Sequence, residues 1–217
     1  MAGATKIAVW YHCLISGGSV PINTDFALNI IAEQMHALEQ SGLARAAQEF
    51  VFAVNGDETD GLAASSLAPA KVKLVCHGKG VTSEIPTMNL IRAWLLGHED
   101  WYVLYHHSKG VTHPGREAFA VWRRRMQHVC VENWQPCVAS LDAGYDAAGA
   151  HWLTPEQFPG AVTSPFFGGT FWWSTAKYLS QLPPLPAATW ANRMEAESWI
   201  GRRRPYPKVR DFLPGWP

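Results

Sequence analysis

The 217-residue chain is short of several features that would assign its chemistry at once. Four cysteines, at positions 13, 76, 130 and 137, form no Cys-x-x-Cys pair, which argues against a zinc knuckle or a thioredoxin-type site. Cys130 and Cys137 lie seven apart in a helical pattern, a rise of roughly 10 Å that exceeds the reach of a disulfide. All four thiols are therefore expected to be reduced and mostly buried, as in a cytoplasmic protein. Neither sign of charge is in excess, with 18 basic and 18 acidic residues. That balance speaks against bulk nucleic-acid binding, and the nine histidines add positive charge only as the pH falls. Long apolar runs are missing too. No segment reaches the ~20 apolar residues of a membrane span, which leaves peripheral contact as the membrane mode still open. The run from Ile7 to Ile15 is interrupted by His12 and lacks a small-residue cleavage site, so it does not read as a signal peptide.

What is abundant is apolar surface. Hydrophobic residues make up 47% of the chain and charged residues 17%, enough for a sizeable core and against disorder. Length favours a single domain over 1–217, and neither an internal repeat nor a second domain is evident. Eleven tryptophans offer apolar faces with one N–H donor each, suited to cores and equally to sugar rings. Most are expected to be structural.

Periodicity gives an alternating layout. Lys6 to Leu14 is β-prone, and Gly17-Gly18-Ser19 breaks it. Asn23 or Thr24 can cap a helix that carries Phe26, Ile30, Ile31, Met35 and Leu38 on one face and stops at Gly42. Strands are expected at Glu49 to Val54 and Val72 to Cys76, a helix at Thr87 to Leu96, and a strand at Trp101 to Tyr105. Such alternation predicts an α/β fold with a mostly parallel sheet flanked by helices. Phe119, Trp122, Met126, Val129, Asn133 and Cys137 then predict one long helix, with Arg123-Arg124-Arg125 as a solvated face. Residues 141–158 read as a connection. Ser164 to Trp173 reads as a strand with two internal glycines, a pattern of bulges or close ligand approach. Ser174 can cap a short helix to Leu182, Pro183 to Pro186 form a stiff connector, a last helix is expected over Asn192 to Ile200, and the tail from Gly201 is basic and Pro-rich.

Three segments carry chemistry. The first is Trp101-Tyr102-Val103-Leu104-Tyr105-His106-His107-Ser108-Lys109-Gly110, a buried strand opening into imidazoles, a hydroxyl and an ammonium. The carboxyl ends of strands in open α/β sheets are where ligands bind. The second is Gly168-Gly169-Thr170-Phe171-Trp172-Trp173. The third is the run from Asn192 to Gly201, where Glu195 and Trp199 share a helix face while Glu197 points elsewhere. At most one of the two carboxylates is then expected to look into a given cleft, as a general base lifted by burial.

In order and spacing these segments resemble the GT-A class of nucleotide-sugar glycosyltransferases. Gly80-Val81-Thr82-Ser83-Glu84 stands where that class has a Gly-led loop, Met88-Asn89-Leu90-Ile91-Arg92 where it has a helix bearing Asn or Arg, and Trp101 to Tyr105 where a strand follows. The Phe-Trp-Trp stretch is similar to the acceptor-side segment, and Arg193 to Gly201 to the acidic C-terminal segment. Tyr-x-His-x-Lys-Gly with Phe-Trp-Trp also resembles glycosyltransferase-like proteins of bacterial polysaccharide clusters. The resemblance covers roughly residues 5–201 and implies a single Rossmann-like domain, with 1–110 as a nucleotide-binding half and 111–217 as an acceptor half and tail. It implies a hexosyltransferase-like activity on a nucleotide-sugar donor and a saccharide or lipid-linked saccharide acceptor. Tyr11, His12, Asn89, Arg92, His106, His107, Ser108 and Arg202 would hold the donor, and Gly169, Phe171, Trp172 and Trp173 the acceptor. Glu195 or Glu197 would take the hydroxyl proton in an inverting displacement, and Lys109 would stabilise the leaving diphosphate.

One departure stands out. The class places Asp-x-Asp at the end of that strand to hold Mg²⁺ or Mn²⁺, whereas this chain has His106-His107-Ser108. Hard cations prefer oxygen donors. Either the ion uses other carboxylates, Asp57 or Asp100; or cations replace it, Lys109 with some of Arg202, Arg203 and Arg204; or turnover has been lost. The last option makes a non-catalytic saccharide- or nucleotide-binding module the alternative function. A metal-dependent hydrolase on the His pair, with His113 as a third ligand, is less favoured. Adjacent residues of a strand face opposite ways, and no His-x-His or His-Glu-x-x-His pattern is present.

Overall fold

The computed structural model describes residues 5–16, 21–69, 71–81, 83–157, 163–187 and 193–215. In chain order these form β1 (Lys6–Leu14), α1 (Thr24–Gln40), α2 (Leu43–Ala46), β2 (Glu49–Asn55), α3 (Glu58–Ser65), β3 (Lys73–Cys76), α4 (Ile85–Trp94), β4 (Trp101–His107), α5 (Glu117–Gln127), α6 (Gln135–Asp142), β5 (Ala147–Gly149), β6 (Trp152–Leu153), β7 (Phe166–Phe167), β8 (Trp172–Thr175), α7 (Ala176–Leu179), α8 (Arg193–Glu197) and β9 (Val209–Asp211). A seven-stranded sheet has the order β3-β2-β1-β4-β8-β5-β9. β8 alone is antiparallel to its neighbours β4 and β5; the other pairings are parallel. The α/β class with a mostly parallel sheet is as the alternation predicted. β6 and β7 pair with each other, apart from the main sheet.

Both sheet faces are covered, and successive strand residues feed opposite cores. Tyr11, Phe52, Leu104 and Trp173 pack under α1, α5 and α6. Trp10, Val51, Tyr105 and Trp172 pack under α4, α7 and the segment at Trp199 and Ile200. Local chemistry sets the helix ends. Asn23 Oδ1 accepts the Phe26 amide at the start of α1, and Gly42 follows its end at φ +75°, a left-handed conformation that glycine adopts without a Cβ clash. Asp57 and Asp60 form a reciprocal capping box on α3.

Several elements depart from the sequence pattern. The expected long helix is divided by a π-helical turn over His128–Glu132, closed by the Asn133 amide on the His128 carbonyl. α6 then restarts with Pro136 in its first turn, where a residue without an N–H costs nothing. The connection 141–158 contains β5 and β6, and the basic tail contributes β9 beside β5. The expected strand from Ser164 to Trp173 is two strands separated by a turn in which Gly169 sits at φ +87°. Thr175, not Ser174, caps α7, its hydroxyl accepting the Tyr178 amide. The last helix is shorter than its pattern, passing into a 3₁₀ turn at Trp199–Gly201. Asn192, Gly17 to Ser19 and Thr82 lie outside the described residues.

Gly201 ends that turn against the Pro165 backbone, and a Cβ there would overlap the Pro165 carbonyl oxygen. Gly201→Ala is expected to destabilise the fold by about 1–3 kcal/mol or more, because a rigid backbone must move to make room. A shift in the urea midpoint measures it.

Candidate functional site

β1, β2 and β4 run in parallel and end together, so Leu14, Asn55 and His107 meet at one edge of the sheet. A cleft of about 420 Å³ opens there, within the ~300–1,000 Å³ of small-molecule sites. Its floor is sewn shut: the Ser108 amide donates to the His12 carbonyl at 3.0 Å, and Ser108 Oγ accepts the Leu14 amide at 3.2 Å. Asn55 donates to the Ser83 carbonyl at 3.1 Å, which fixes the segment leading into α4. Arg123 is buried and holds the far wall. It donates to Glu33 of α1 at 2.9 Å and to the Lys109 carbonyl at 3.0 Å. The expectation of a solvated face is thus corrected for Arg123, although Arg124 is half exposed and paired with Glu117.

Ionisable side chains line this cleft from several directions, among them His107 at the end of β4, Lys109 just after it, Glu84 at the start of α4, and Glu197 at the end of α8. His107 Nε2 donates to the Gly169 carbonyl at 2.8 Å, and its Nδ1 lies 3.2 Å from Glu84 Oε1. The Tyr105 hydroxyl donates to Glu84 Oε2 at 2.6 Å. Burial lifts the Glu84 carboxyl above its ordinary value, against the opposing Tyr105 hydrogen bond. Burial also lowers the His107 imidazole to about 4, helped by the Lys109 charge. Lys109 lies 4.1 Å over the Trp122 ring, a cation–π contact. His12 also lines the cleft. Its Nδ1 is 2.7 Å from Thr87 Oγ1, which meets His77 Nε2 at 3.0 Å on its other side. Burial holds both imidazoles below their ordinary value, most strongly His12.

The structure therefore gathers His12, His107, Ser108, Lys109 and Glu197 at one cleft, with the Gly169 carbonyl behind His107. Other expected residues lie elsewhere. Tyr11 and His106 are fully buried and point into the core beneath α1, where Tyr11 donates to Gln34 at 2.7 Å and its ring lies tilted against that of His106, 4.7 Å between centroids. Neither lines the cleft, because strand alternation sends them to the face opposite His12 and His107. Asn89 and Arg92 are exposed on the outer side of α4, and neither lines the cleft. Glu195 is tied to Arg202 in an ion pair, which removes both from the cleft. Phe171, Trp172 and Trp173 are buried in the two cores. Trp172 stacks on Tyr105 at 5.3 Å and Trp173 donates to the Cys130 carbonyl at 2.8 Å, so no ring face is left for an acceptor. The reason is that β8 is an inner strand covered on both faces.

Glu84, Thr87 and His77 were not singled out by the sequence reading. The one signal pointing to Glu84 was its place at the end of the Gly-led loop. A larger hollow of about 780 Å³ lies on the α5 side, lined by Arg124, Arg125, His128, Glu132 and His151 among others. None of the expected site residues borders it.

The donor set does not suit a hard divalent ion held by protein groups. Among the described residues no three His, Cys, Asp or Glu side chains come together as metal ligands. Asp57 is engaged with Lys79 and Asp100 with Lys6, both on the surface, and His107 has both nitrogens committed. Among the described residues no helix is long and apolar enough to cross a membrane, and all four cysteines are free thiols.

No protein-family description matches the chain, and no curated protein does. Similar solved structures include Rv0371c from Mycobacterium tuberculosis H37Rv, 13% identical, covering 98% of this chain and 90% of that one with a TM-score of 0.43. The same protein is also known in complex with manganese. HddC from Yersinia pseudotuberculosis is 10% identical over 95% of this chain and 90% of its own, with a TM-score of 0.48. A 4-diphosphocytidyl-2C-methyl-D-erythritol synthase is 15% identical over 95% and 88%, with a TM-score of 0.42. At such identities and scores the chemistry has to be argued from the chain's own residues.

Proposed function

We propose that the protein is a transferase that moves a sugar from a nucleotide-diphosphate donor to a saccharide or related acceptor, in the synthesis of surface polysaccharide or another glycoconjugate. The observation that carries this reading is the convergence of Lys109, His107, Glu84 and Glu197 on one cleft at the carboxyl ends of parallel strands, the place where open α/β sheets bind ligands. Lys109 supplies positive charge for the leaving diphosphate, and stabilising developing charge is commonly the largest catalytic contribution. The start of α4, at Ser83 and Glu84, borders the same space and adds the positive end of a helix dipole. The proton of the attacking hydroxyl goes to a cleft carboxylate, Glu84 or Glu197, while Glu195 is held apart by Arg202. Phe119 and His113, stacked at 3.9 Å on the cleft rim, offer the flat surface that the buried tryptophans do not.

Calorimetry and donor-hydrolysis assays with a panel of nucleotide sugars, with and without EDTA, test the reading. Binding with release of nucleoside diphosphate supports it; no binding and no release reject it. The module reading, favoured by the missing Asp-x-Asp, requires binding without release. Lys109→Ala is expected to weaken donor binding roughly 10- to 150-fold, the equivalent of a charged hydrogen bond of about 1.5–3 kcal/mol, and to flatten the dependence of affinity on salt.

A further inference from the structure

The hydrogen bonds around His107 fix where its protons are. The Gly169 carbonyl can only accept, so the Nε2 atom 2.8 Å from it carries a hydrogen. In the neutral ring the Nδ1 lone pair then faces Glu84 Oε1 across 3.2 Å. A lone pair and a carboxylate oxygen repel at that distance unless a proton lies between them. The pair therefore holds one proton more than a free carboxylate beside a neutral imidazole would.

Its surroundings suit transfer of that proton. Both side chains are mostly shielded, at 13% and 15% exposure, yet both line the cleft. Tyr105 anchors the second carboxyl oxygen, so Glu84 cannot rotate away. The charged and titratable groups around the pair are Tyr105 and Lys109 on the β4 side, His12 on the neighbouring strand and Glu197 on α8. Burial and the Lys109 charge keep the resting imidazole neutral, while the Gly169 hydrogen bond and Glu197 favour the imidazolium; negative charge developing on a leaving group in the same cleft favours it further.

We propose that Glu84 and His107 form the proton relay of the cleft: Glu84 receives the acceptor's hydroxyl proton while passing its own to His107 Nδ1. As the acceptor oxygen bonds to the anomeric carbon, its proton moves to the Glu84 carboxyl. The proton already on Oε1 moves to Nδ1, and the bond from the anomeric carbon to the diphosphate breaks with its electron pair left on the diphosphate. The relay ends as a neutral Glu84 and an imidazolium, which places new positive charge in the same cleft as the newly charged leaving group. The assignment of the hydroxyl rests on the transferase reading above; the shared proton does not.

The test is made on the whole chain. Imidazole ¹⁵N NMR of the wild type is expected to show His107 as the Nε2–H tautomer at neutral pH, with an Nδ1 shift displaced from that of a free lone pair. In Glu84→Gln, whose amide can still donate to Nδ1 without offering a transferable proton, the Nδ1 resonance is expected to move. That variant should keep donor affinity and its melting temperature and lose 10²- to 10⁴-fold in kcat, the span of general acid–base catalysis, together with the pH dependence of kcat. Glu197→Gln should shift the pH profile, since the Glu197 charge favours the imidazolium, and should leave the coupling between Glu84 and the His107 Nδ1 resonance in place. A Glu84→Gln variant with wild-type kcat, or a His107 resonance indifferent to Glu84, overturns the relay and leaves the transferase reading standing. If the wild type turns over no nucleotide sugar, the transferase reading and the catalytic use of the relay both fall, and the NMR result alone decides whether the proton is shared.

Discussion

Trp173→Ala is expected to lower stability by about 3–5 kcal/mol, the usual cost of truncating a buried aromatic. Trp173 is fully buried. It stacks near Trp134 at 6.1 Å, and its indole N–H satisfies the Cys130 carbonyl inside the π-helical turn. Its strand lies between β4 and β5, opposite Leu104 on one side and Ala148 on the other. Truncation would open a cavity against both neighbours and leave a buried carbonyl unpaired. Trp173→Phe should cost less, since it keeps most of the packing and loses only the hydrogen bond. Urea unfolding measures both. A tryptophan serving an acceptor subsite would behave the other way, raising KM for the acceptor and hardly moving the midpoint. A midpoint unchanged in the alanine variant would reject the core assignment.

Acidification is expected to unfold the protein well before the carboxylates titrate fully. Burial holds His106 at about 3 and His107 at about 4, and pushes His12 well below its ordinary value. In the unfolded chain each imidazole titrates near 6.5. The unfolded state therefore binds more protons, and the stability these groups confer is complete above about pH 6.5 and is lost as the pH falls from there toward 3–4. Each unit of separation is worth about 1.4 kcal/mol per group, so the combined loss by pH 4 is of the order of several kcal/mol. Glu84 acts in the opposite sense. Its raised carboxyl takes up a proton more readily in the folded state, and it offsets part of the loss. Melting temperatures from pH 8 to pH 4 should fall most steeply below pH 6. His106→Leu should flatten that slope, since neither ring nitrogen of His106 has a hydrogen-bond partner and a leucine does not titrate. An unchanged slope in this variant would mean that His106 is not one of the groups that take up protons on unfolding.

Some of this could be read along the chain, and the rest depends on distance in space. Strand–helix alternation along the chain gave the fold class; both His106 and His107 were expected at the donor, whereas strand alternation buries His106 in the core and leaves His107 in the cleft. Lys109 and Ser108 followed from their position just past a strand end. Glu84, Thr87 and His77 could not be found this way. Thr87 meets His12 across 75 positions, and nothing local marks a threonine inside a helix as a bridge between imidazoles. β5 is Ala-Ala-Gly, with no β-branched or aromatic residue to declare it a strand. The Phe171 to Trp173 segment misled for a related reason. Its composition suits either a sugar platform or a core, and only the insertion of β8 between two other strands decides for the core. Arg123 looked like one of three solvated arginines because periodicity cannot show that this position of α5 faces Glu33 and the Lys109 carbonyl.

The reversed direction of β8 has a wider meaning. A parallel strand in that slot would present its exit to the ligand edge and put its entrance at the far end of the molecule. Running backwards, β8 instead brings the turn before it to the mouth, and with it the Gly169 oxygen that orients the imidazole. A side chain at Gly169 would be strained by its φ of +87°, and its Cβ would displace the tip of Met126. The six parallel strands can thus stay unaltered while the length and composition of this one turn set which tautomer the ring adopts, separating the part of the molecule that carries the load from the part that tunes it.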